Sequence, residues 1–171
     1  GDANYGAGLF ISNASPLIES VKLSNNNSLF DGGGIFTDGF DGELKNIIID
    51  DNQSSRDGAG AFLLNSSPIM VNIIIENNSG RINNYDLNGG GLYLNNSSPQ
   101  RFENIKIKNN HASKNGGGLY LANSNISSAI GLEINGNNSN QFGGGIYSNY
   151  SNLNIEGSYI TYIIENEATN N

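Results

Sequence analysis

Six of the eight aspartates lie close together in the sequence, between residues 31 and 57. Pairs of carboxyl groups can supply the acid and the base of glycoside hydrolysis, and larger carboxylate groups bind calcium. The aspartates that come closest to a calcium pattern are Asp38, Asp41, Asp50 and Asp51; Asp31 and Asp57 complete the set. Because no calcium motif is matched closely, we expect a solvated acidic face. Calcium binding and polysaccharide cleavage are the two alternatives for these residues, and no other cofactor is predicted.

An insertion is the second candidate for a site. In most units of the repeat described below, the next glycine motif begins six positions after a recurring asparagine, but after Asn78 it begins eleven positions later. The extra residues include Arg81, Tyr85 and Asp86. Loops on a rigid scaffold often carry function. We therefore treat these three side chains as ligand or interface candidates, with a tolerated surface insertion as the alternative.

Aromatic residues recur at one position of the repeat and form the third candidate. They are Phe10, Phe36, Phe62, Tyr93, Tyr120 and Tyr147. Side chains of a strand alternate between its two faces, so aromatics with apolar neighbours on both sides point outward if those neighbours point inward. Outward rings offer an apolar strip for a sugar or a partner. The alternatives are a cross-strand aromatic ladder that only steadies the sheet, or rings that face the core.

Composition narrows the functions that these residues can serve. The net charge is −8, which disfavours nucleic acid as a partner. Without cysteine and with one histidine, the chain offers no disulfide and no site of several Cys and His ligands for zinc. No apolar run approaches the ~20 residues that span a membrane. Asn, Gly and Ser supply 75 of the 171 residues, which disfavours long helices.

A repeat of the motif G-x-G positions all of these candidates. The motif starts at Gly6, Gly32, Gly58, Gly89, Gly116 and Gly143, at intervals of 26, 26, 31, 27 and 27 residues. Each copy leads into an apolar residue, an aromatic residue and a third residue that is apolar in most units. A second segment follows with apolar residues at a spacing of three and then two, although the last unit keeps this pattern only in part. Two strand signals within about 27 residues predict one coil of a parallel β-helix. We predict a parallel β-helix of about six coils, each 26–31 residues long.

An asparagine ends the second segment of every unit. These residues are Asn26, Asn52, Asn78, Asn110, Asn137 and Asn166. In stacked coils the six amides lie one strand spacing apart and can donate to and accept from one another. We predict a structural asparagine ladder here rather than a binding site.

The repeat units resemble those of known surface proteins. The resemblance rests on Gly89-Gly90-Gly91-Leu92-Tyr93-Leu94, on the Asn-Ser-Ser-Pro turn at 96–99, and on Asn110 with Ala112. These elements are similar to the repeats of polymorphic outer-membrane proteins and autotransporter-like adhesins, which are right-handed parallel β-helices. The resemblance covers residues 6–168 and implies secretion or display at the cell surface. Such repeats also occur in carbohydrate-active enzymes.

From these observations we predict one β-helix domain over residues 1–171, either a segment of a longer protein or a protomer that stacks. The predicted function is a non-enzymatic extracellular stalk, adhesin or end-to-end filament. Its partners would be other copies, further coils of the same solenoid, or a carbohydrate or host-surface ligand. The main alternative is a module that binds or cleaves polysaccharide, and a second is a protein that orders water or ice.

Overall fold

The computed structural model describes residues 2–80, 86–156 and 161–169, and all regular secondary structure in them is β-strand. We count each coil from the first glycine of its motif, so that coils 1 to 6 are residues 6–31, 32–57, 58–88, 89–115, 116–142 and 143–169. Strand β1 (Asp2–Ala3) precedes coil 1. Coil 1 holds β2 (Leu9–Ser12), β3 (Leu17–Glu19), β4 (Lys22–Ser24) and β5 (Asn27–Ser28). Coil 2 holds β6 (Ile35–Asp38), β7 (Glu43–Asp50) and β8 (Gln53–Ser54).

The later coils repeat this order of strands. Coil 3 holds β9 (Ala61–Leu64), β10 (Ile69–Glu76) and β11 (Ser79–Gly80). Coil 4 holds β12 (Leu92–Asn95), β13 (Arg101–Lys108) and β14 (His111–Ala112). Coil 5 holds β15 (Leu119–Ala122), β16 (Asn125–Ile130), β17 (Glu133–Asn135) and β18 (Asn138–Ser139). Coil 6 holds β19 (Ile146–Asn149), β20 (Asn152–Ile155), β21 (Tyr162–Ile164) and β22 (Glu167–Ala168).

Three parallel sheets run along the axis of the solenoid. Sheet A contains β2, β6, β9, β12, β15 and β19; sheet B contains the long strands β7, β10 and β13 with β3, β4, β16, β17, β20 and β21; sheet C contains seven two-residue strands. Strands of the interior coils pair with their counterparts in the coils before and after them, for example at Tyr93 with Phe62 and Tyr120. The predicted fold, an all-β parallel solenoid of about six coils, is confirmed.

Apolar columns fill the interior, because the same position of each coil carries a residue of similar type. In sheet B one such column is Ile49, Ile75, Ile107 and Ile134, all fully buried. Leu92 and Leu94 of sheet A face the same core. Inward side chains of neighbouring coils thus pack directly on one another, and each coil buries the apolar surface of the next.

Left-handed backbone conformations explain much of the asparagine content. Asn13, Asn65, Asn96 and Asn123 have φ of 47–49° at the end of sheet A strands. A second column, with φ of 52–57°, interrupts the long strands of sheet B at Asn46, Asn72 and Asn104. Asparagine tolerates this conformation better than other residues that carry a side chain, apart from a few polar ones. Each coil can therefore bend where an asparagine stands.

Coil 2 departs from the Asn-Ser-Ser-Pro turn, and the structure shows how the departure is accommodated. In coils 3 to 5 a serine occupies this turn, and its backbone N–H donates to the hydroxyl of the equivalent serine in the next coil, as from Ser66 to Ser97. In coil 2 the ring of Phe40 is fully buried instead, and its N–H donates to Ser66 Oγ. Thr37 Oγ1 lies 3.0 Å from the same hydroxyl. The serine column thus connects to coil 2 through a different pair of residues.

In the described part of the chain there is no helix with the length and apolarity to cross a membrane.

Candidate functional site

The asparagine ladder is a continuous chain of hydrogen bonds along the solenoid. Asn110 Oδ1 accepts from both the backbone N–H and the Nδ2 of Asn78, at 3.0 and 2.9 Å, while Asn110 Nδ2 donates to Asn137 Oδ1 and to the carbonyl of Ile75. The same pattern links all six members: Asn26, Asn52, Asn78, Asn110, Asn137 and Asn166. The middle four amides are buried. Because their donors and acceptors are used within the protein, these side chains act on the fold rather than on a ligand.

The second glycine of each motif packs against this ladder. A Cβ added at Gly91 would lie 2.9 Å from Asn110 Nδ2 and 2.7 Å from the carbonyl oxygen of Gly118. These distances are shorter than a carbon atom tolerates, so a side chain at this position would displace the amide or the next coil. The G-x-G motif and the recurring asparagine are therefore two sides of one contact.

The aromatic column points away from the main core and is nevertheless mostly buried. Adjacent rings lie 4.5–5.5 Å apart, centroid to centroid, from Phe10 to Tyr147. The four middle rings, Phe36, Phe62, Tyr93 and Tyr120, are only 6–9% exposed, whereas Phe10 is 53% exposed. Of the interpretations considered above, an exposed apolar strip is excluded for these four rings, and a cross-strand aromatic ladder agrees with their burial. Each ring covers the next, and the turn glycines lie against their Cβ atoms. No flat ring face remains there for a sugar.

An acidic seam runs beside the aromatic column, and we define it as Asp31, Arg56 and Asp57. Arg56 donates to Asp31 Oδ2 at 2.6 Å and to the Tyr5 hydroxyl at 3.3 Å, and its guanidinium lies 4.7 Å from the centre of the Phe30 ring. Asp31 Oδ1 accepts from the backbone N–H of Asp57 at 3.0 Å. The seam therefore links two consecutive coils through the ion pair of Asp31 with Arg56 and through the hydrogen bond from the Asp57 backbone to Asp31.

The amide side chains of Asn88 and Asn115 continue the column of Asp31 and Asp57 into coils 3 and 4. Asp57 Oδ1 accepts from the backbone N–H and Nδ2 of Asn88, and Asn115 Nδ2 donates to Asn88 Oδ1. Each of these four residues directly precedes a G-x-G motif. The sequence indicates the two aspartates only as members of an acidic stretch, and it does not single out Arg56 or the two amides as their partners. Alignment of the repeats on the first glycine is the signal that places the four column members together.

One carboxyl group in the seam and one hydroxyl group beside it have strongly shifted pKa values. Burial raises the pKa of Asp57 to about 6, with a further push from the charge of Asp31, while the two N–H donors of Asn88 oppose the rise. Burial also raises the pKa of the Tyr93 hydroxyl, and the nearby Asp57 adds to it. A carboxyl group that holds its proton up to about pH 6, next to one that is ion-paired with arginine, is the kind of arrangement that acid–base catalysis uses.

The four weak calcium candidates do not come together. Asp38 and Asp41 lie at the turn after sheet A, where they accept from Asn65 Nδ2 and the Ser67 N–H. Asp50 forms an ion pair with Lys22 at 2.9 Å at the far end of sheet B, next to Asp51. Among residues 2–80, 86–156 and 161–169, no three acidic or histidine side chains are grouped closely enough to hold a metal ion. The expectation that stacking gathers the aspartates is right only for Asp31 and Asp57.

Two members of the insertion candidate, Arg81 and Tyr85, lie outside the described residues. The third, Asp86, is exposed, and its Oδ1 lies 3.5 Å from Lys114 Nζ. Next to it, Leu87 is fully buried against Ala59 and Ala112. The end of the insertion is thus anchored on coils 3 and 4.

A comparison with protein families identifies the fold. The model of the right-handed beta helix region matches residues 2–137, which is most of the chain. The chain belongs to the right-handed β-helix family. Neither the curated proteins nor the solved structures include a match to this β-helix. The family contains both non-enzymes and polysaccharide-degrading enzymes, so membership shows the fold and leaves the function of the seam and the columns to be argued from their geometry.

Proposed function

We propose that this β-helix is a non-enzymatic structural or adhesive solenoid outside the cell, whose ends join further coils. Those coils belong either to other copies stacked end to end or to a continuation of the same chain. The proposed location rests on the resemblance of the repeats to those of surface proteins such as polymorphic outer-membrane proteins and autotransporter-like adhesins.

The distribution of exposed apolar side chains carries the proposal. In the described residues, every large hydrophobic side chain that is exposed lies in coil 1, in coil 6, or at the residue next to coil 6. They are Phe10, Leu17, Leu29, Phe30, Phe142, Tyr150, Ile155, Tyr162, Ile163 and Ile164. Over the same residues, coils 2 to 4 expose none. Exposed apolar patches and unpaired strand edges both favour association, and here they coincide.

The end coils also match each other in the type of surface that they offer. Phe10 at one end and Tyr147 at the other occupy the same aromatic column, and Leu23 and Ile163 occupy the same core column. A coil 6 placed below a coil 1 would continue both columns with residues of the kind found inside the solenoid. The parallel strand edges of the two ends would pair in the register that the interior coils already use.

Light scattering over a concentration series tests this proposal. For the 171-residue chain we expect the mean mass to rise with concentration. The variant Ile163→Lys, which places a charge in the core column at the exposed end, should remain a monomer under the same conditions. The matched control is Gln100→Lys, which adds a lysine to an exposed position on the side of the solenoid. A constant monomer mass for the unmodified chain, or equal association of all three proteins, would contradict end-to-end stacking.

The acidic seam supports a second candidate function, the cleavage of an acidic polysaccharide. The observation behind it is the pairing of Asp57, whose pKa burial raises to about 6, with the ion-paired Asp31. Incubating the protein with a panel of acidic polysaccharides, with and without calcium, would reveal new chain ends if this candidate is right. Loss of that activity in Asp57→Asn would assign it to the seam. Cleavage by the unmodified protein would overturn the non-enzymatic proposal.

A further inference from the structure

A second ladder of amides runs along the outside of sheet B. Asn72 Nδ2 donates to Asn46 Oδ1 at 3.0 Å, and Asn104 Nδ2 donates to Asn72 Oδ1 at 3.1 Å. All three residues have left-handed backbone conformations where the long strands bend. In this outer amide ladder, the side-chain oxygens of Asn46 and Asn72 each accept from the amide of the following coil. The three amides are exposed to solvent, in contrast to the buried asparagine ladder.

The outer amide ladder stops at coil 5, where the equivalent residue is Gly131. This glycine keeps the left-handed conformation, with φ of 65°, but has no amide to donate. A Cβ built on it would lie 2.7 Å from Asn104 Oδ1. Within the described residues no donor reaches Asn104 Oδ1. Gly131 therefore lies directly against the Asn104 amide, and without a side chain at this position that amide oxygen has no protein donor in the described residues.

Asn104 and Gly131 line a surface pocket of about 250 Å³, together with Asn72, Ile74 and Lys106. Ile74 is half-buried and provides an apolar surface. Lys106 is exposed, and its Nζ lies 3.3 Å from Glu133 Oε2, which leaves donors for another acceptor. The pocket thus combines a hydrogen-bond acceptor, a cationic donor and an apolar contact.

We propose that this pocket, formed where the outer amide ladder is interrupted at Gly131, binds the acetamido group of an N-acetylhexosamine. The N–H of the acetamido group donates to Asn104 Oδ1 and takes the place of the missing amide. Its carbonyl oxygen accepts from Lys106 Nζ, and its methyl group packs on Ile74. The sugar ring extends along the face of sheet B. This assignment does not depend on association of the ends, because the pocket lies in coils 3 to 5.

Titration of the isotope-labelled protein followed by NMR tests the proposal. With the methyl glycoside of N-acetylglucosamine we expect saturable shifts at the backbone amides of Asn104, Lys106 and Gly131, with a dissociation constant on the order of 1–10 mM. The methyl glycoside of glucose lacks the acetamido group, and we expect at least about tenfold weaker binding, because it forms neither the two hydrogen bonds of that group nor its methyl contact with Ile74. Equal affinity for both sugars, or no shift of these amide signals at the highest concentration of the N-acetylglucosamine glycoside, would overturn the proposal.

Two variants and one control locate the binding. Gly131→Asn supplies the amide that the ladder lacks, so we expect it to fill the pocket and to weaken binding at least about tenfold. Lys106→Leu removes the donor from an exposed position and should weaken binding with little effect on the fold. The control Gly136→Asn places the same substitution at another left-handed glycine, outside the pocket, and should bind as the unmodified protein does. Unchanged affinity in both test variants would refute the site.

N-acetyl-lysine amide, which carries an acetamido group on a peptide-like scaffold, distinguishes the source of that group. We expect it to bind more weakly than the sugar, because it lacks the ring that contacts sheet B. If it binds more tightly than the N-acetylglucosamine glycoside, the assignment to a sugar is wrong.

Discussion

The interior coils and the two end coils carry the same types of residue at equivalent positions but bury them to different extents. Phe36 in coil 2 is 7% exposed, whereas Phe10 in coil 1 is 53% exposed. In the core of sheet B, Ile134 is fully buried and Ile163, one coil later, is 45% exposed. The residue type is therefore not what buries a side chain in this molecule. A side chain is buried when a neighbouring coil lies on each side of it, and an end coil has only one such neighbour in the described structure.

The asparagine ladder should show the largest difference between interior and end. Asn110→Ala removes the acceptor of two N–H groups of Asn78 and the donor to Asn137 and Ile75, all of them buried. We expect a loss of about 3–5 kcal/mol in the free energy of unfolding. Asn166→Ala, at the half-buried end of the ladder, should cost about 1 kcal/mol, because water can replace its bonds. Urea unfolding measures both, and equal losses would refute the dependence on position.

The aromatic column should show the same contrast at a smaller scale. Phe62→Ala removes a ring held between Phe36 and Tyr93, so we expect a loss of about 2–3 kcal/mol in unfolding free energy. Phe10→Ala removes a ring that is half exposed, and its cost should stay below about 1 kcal/mol. Thermal unfolding of the two variants side by side gives the comparison. An equal loss of unfolding free energy in Phe10→Ala and Phe62→Ala would contradict burial as the cause.

The pKa of Asp57 predicts a smaller effect that depends on pH. Its folded pKa, about 6, lies above the ordinary value of 3.8, so between these values the native state keeps a proton that the unfolded state has released. The stabilisation from this group is full below about pH 4 and is lost as the pH rises through about 6. Asp57→Asn removes the cost of the buried charge. We therefore expect it to be about 1–2 kcal/mol more stable than the unmodified protein at about pH 7.5, and the gain to vanish at about pH 4.

Asp51→Asn provides the control for this experiment, because it makes the same substitution in the same coil at an exposed position. Asp51 is left-handed, with φ of 53°, a conformation that asparagine also adopts. The stability difference between this variant and the unmodified protein should change little over the same range of pH. A pH dependence as large as that of Asp57→Asn would show that the effect does not arise from the seam.

The sequence predicted the coils and the ladder because both follow from residues of constant type at a constant period. Two G-x-G glycines and one asparagine recur in every unit, and a strand fits the segment after each glycine motif. The acidic seam has no such signature. The position before the first glycine of each motif holds residues of different types: Tyr5, Asp31, Asp57, Asn88, Asn115 and Phe142. The residues in this column are therefore neighbours because the coils stack, and no constant residue type marks them in the sequence.

The burial of the aromatic column could not be predicted from the sequence either. Alternation along a strand predicts that Tyr93 points away from the core, and it does. The alternation does not say that the rings of adjacent coils cover one another, or that the glycine backbone closes over their Cβ atoms. Phe40 is a similar case, because a turn that departs from the repeat gives no period from which a buried ring can be predicted.

Hydrogen exchange at two protein concentrations tests most directly the claim that the ends of this β-helix are association surfaces. We expect the backbone amides of β2 to β4 and of β20 to β22 to become more protected at high concentration, while those of β10 and β13 keep the same strong protection throughout. Protection of the end strands that is independent of concentration, in a protein whose interior coils exchange slowly, would contradict this assignment of the ends.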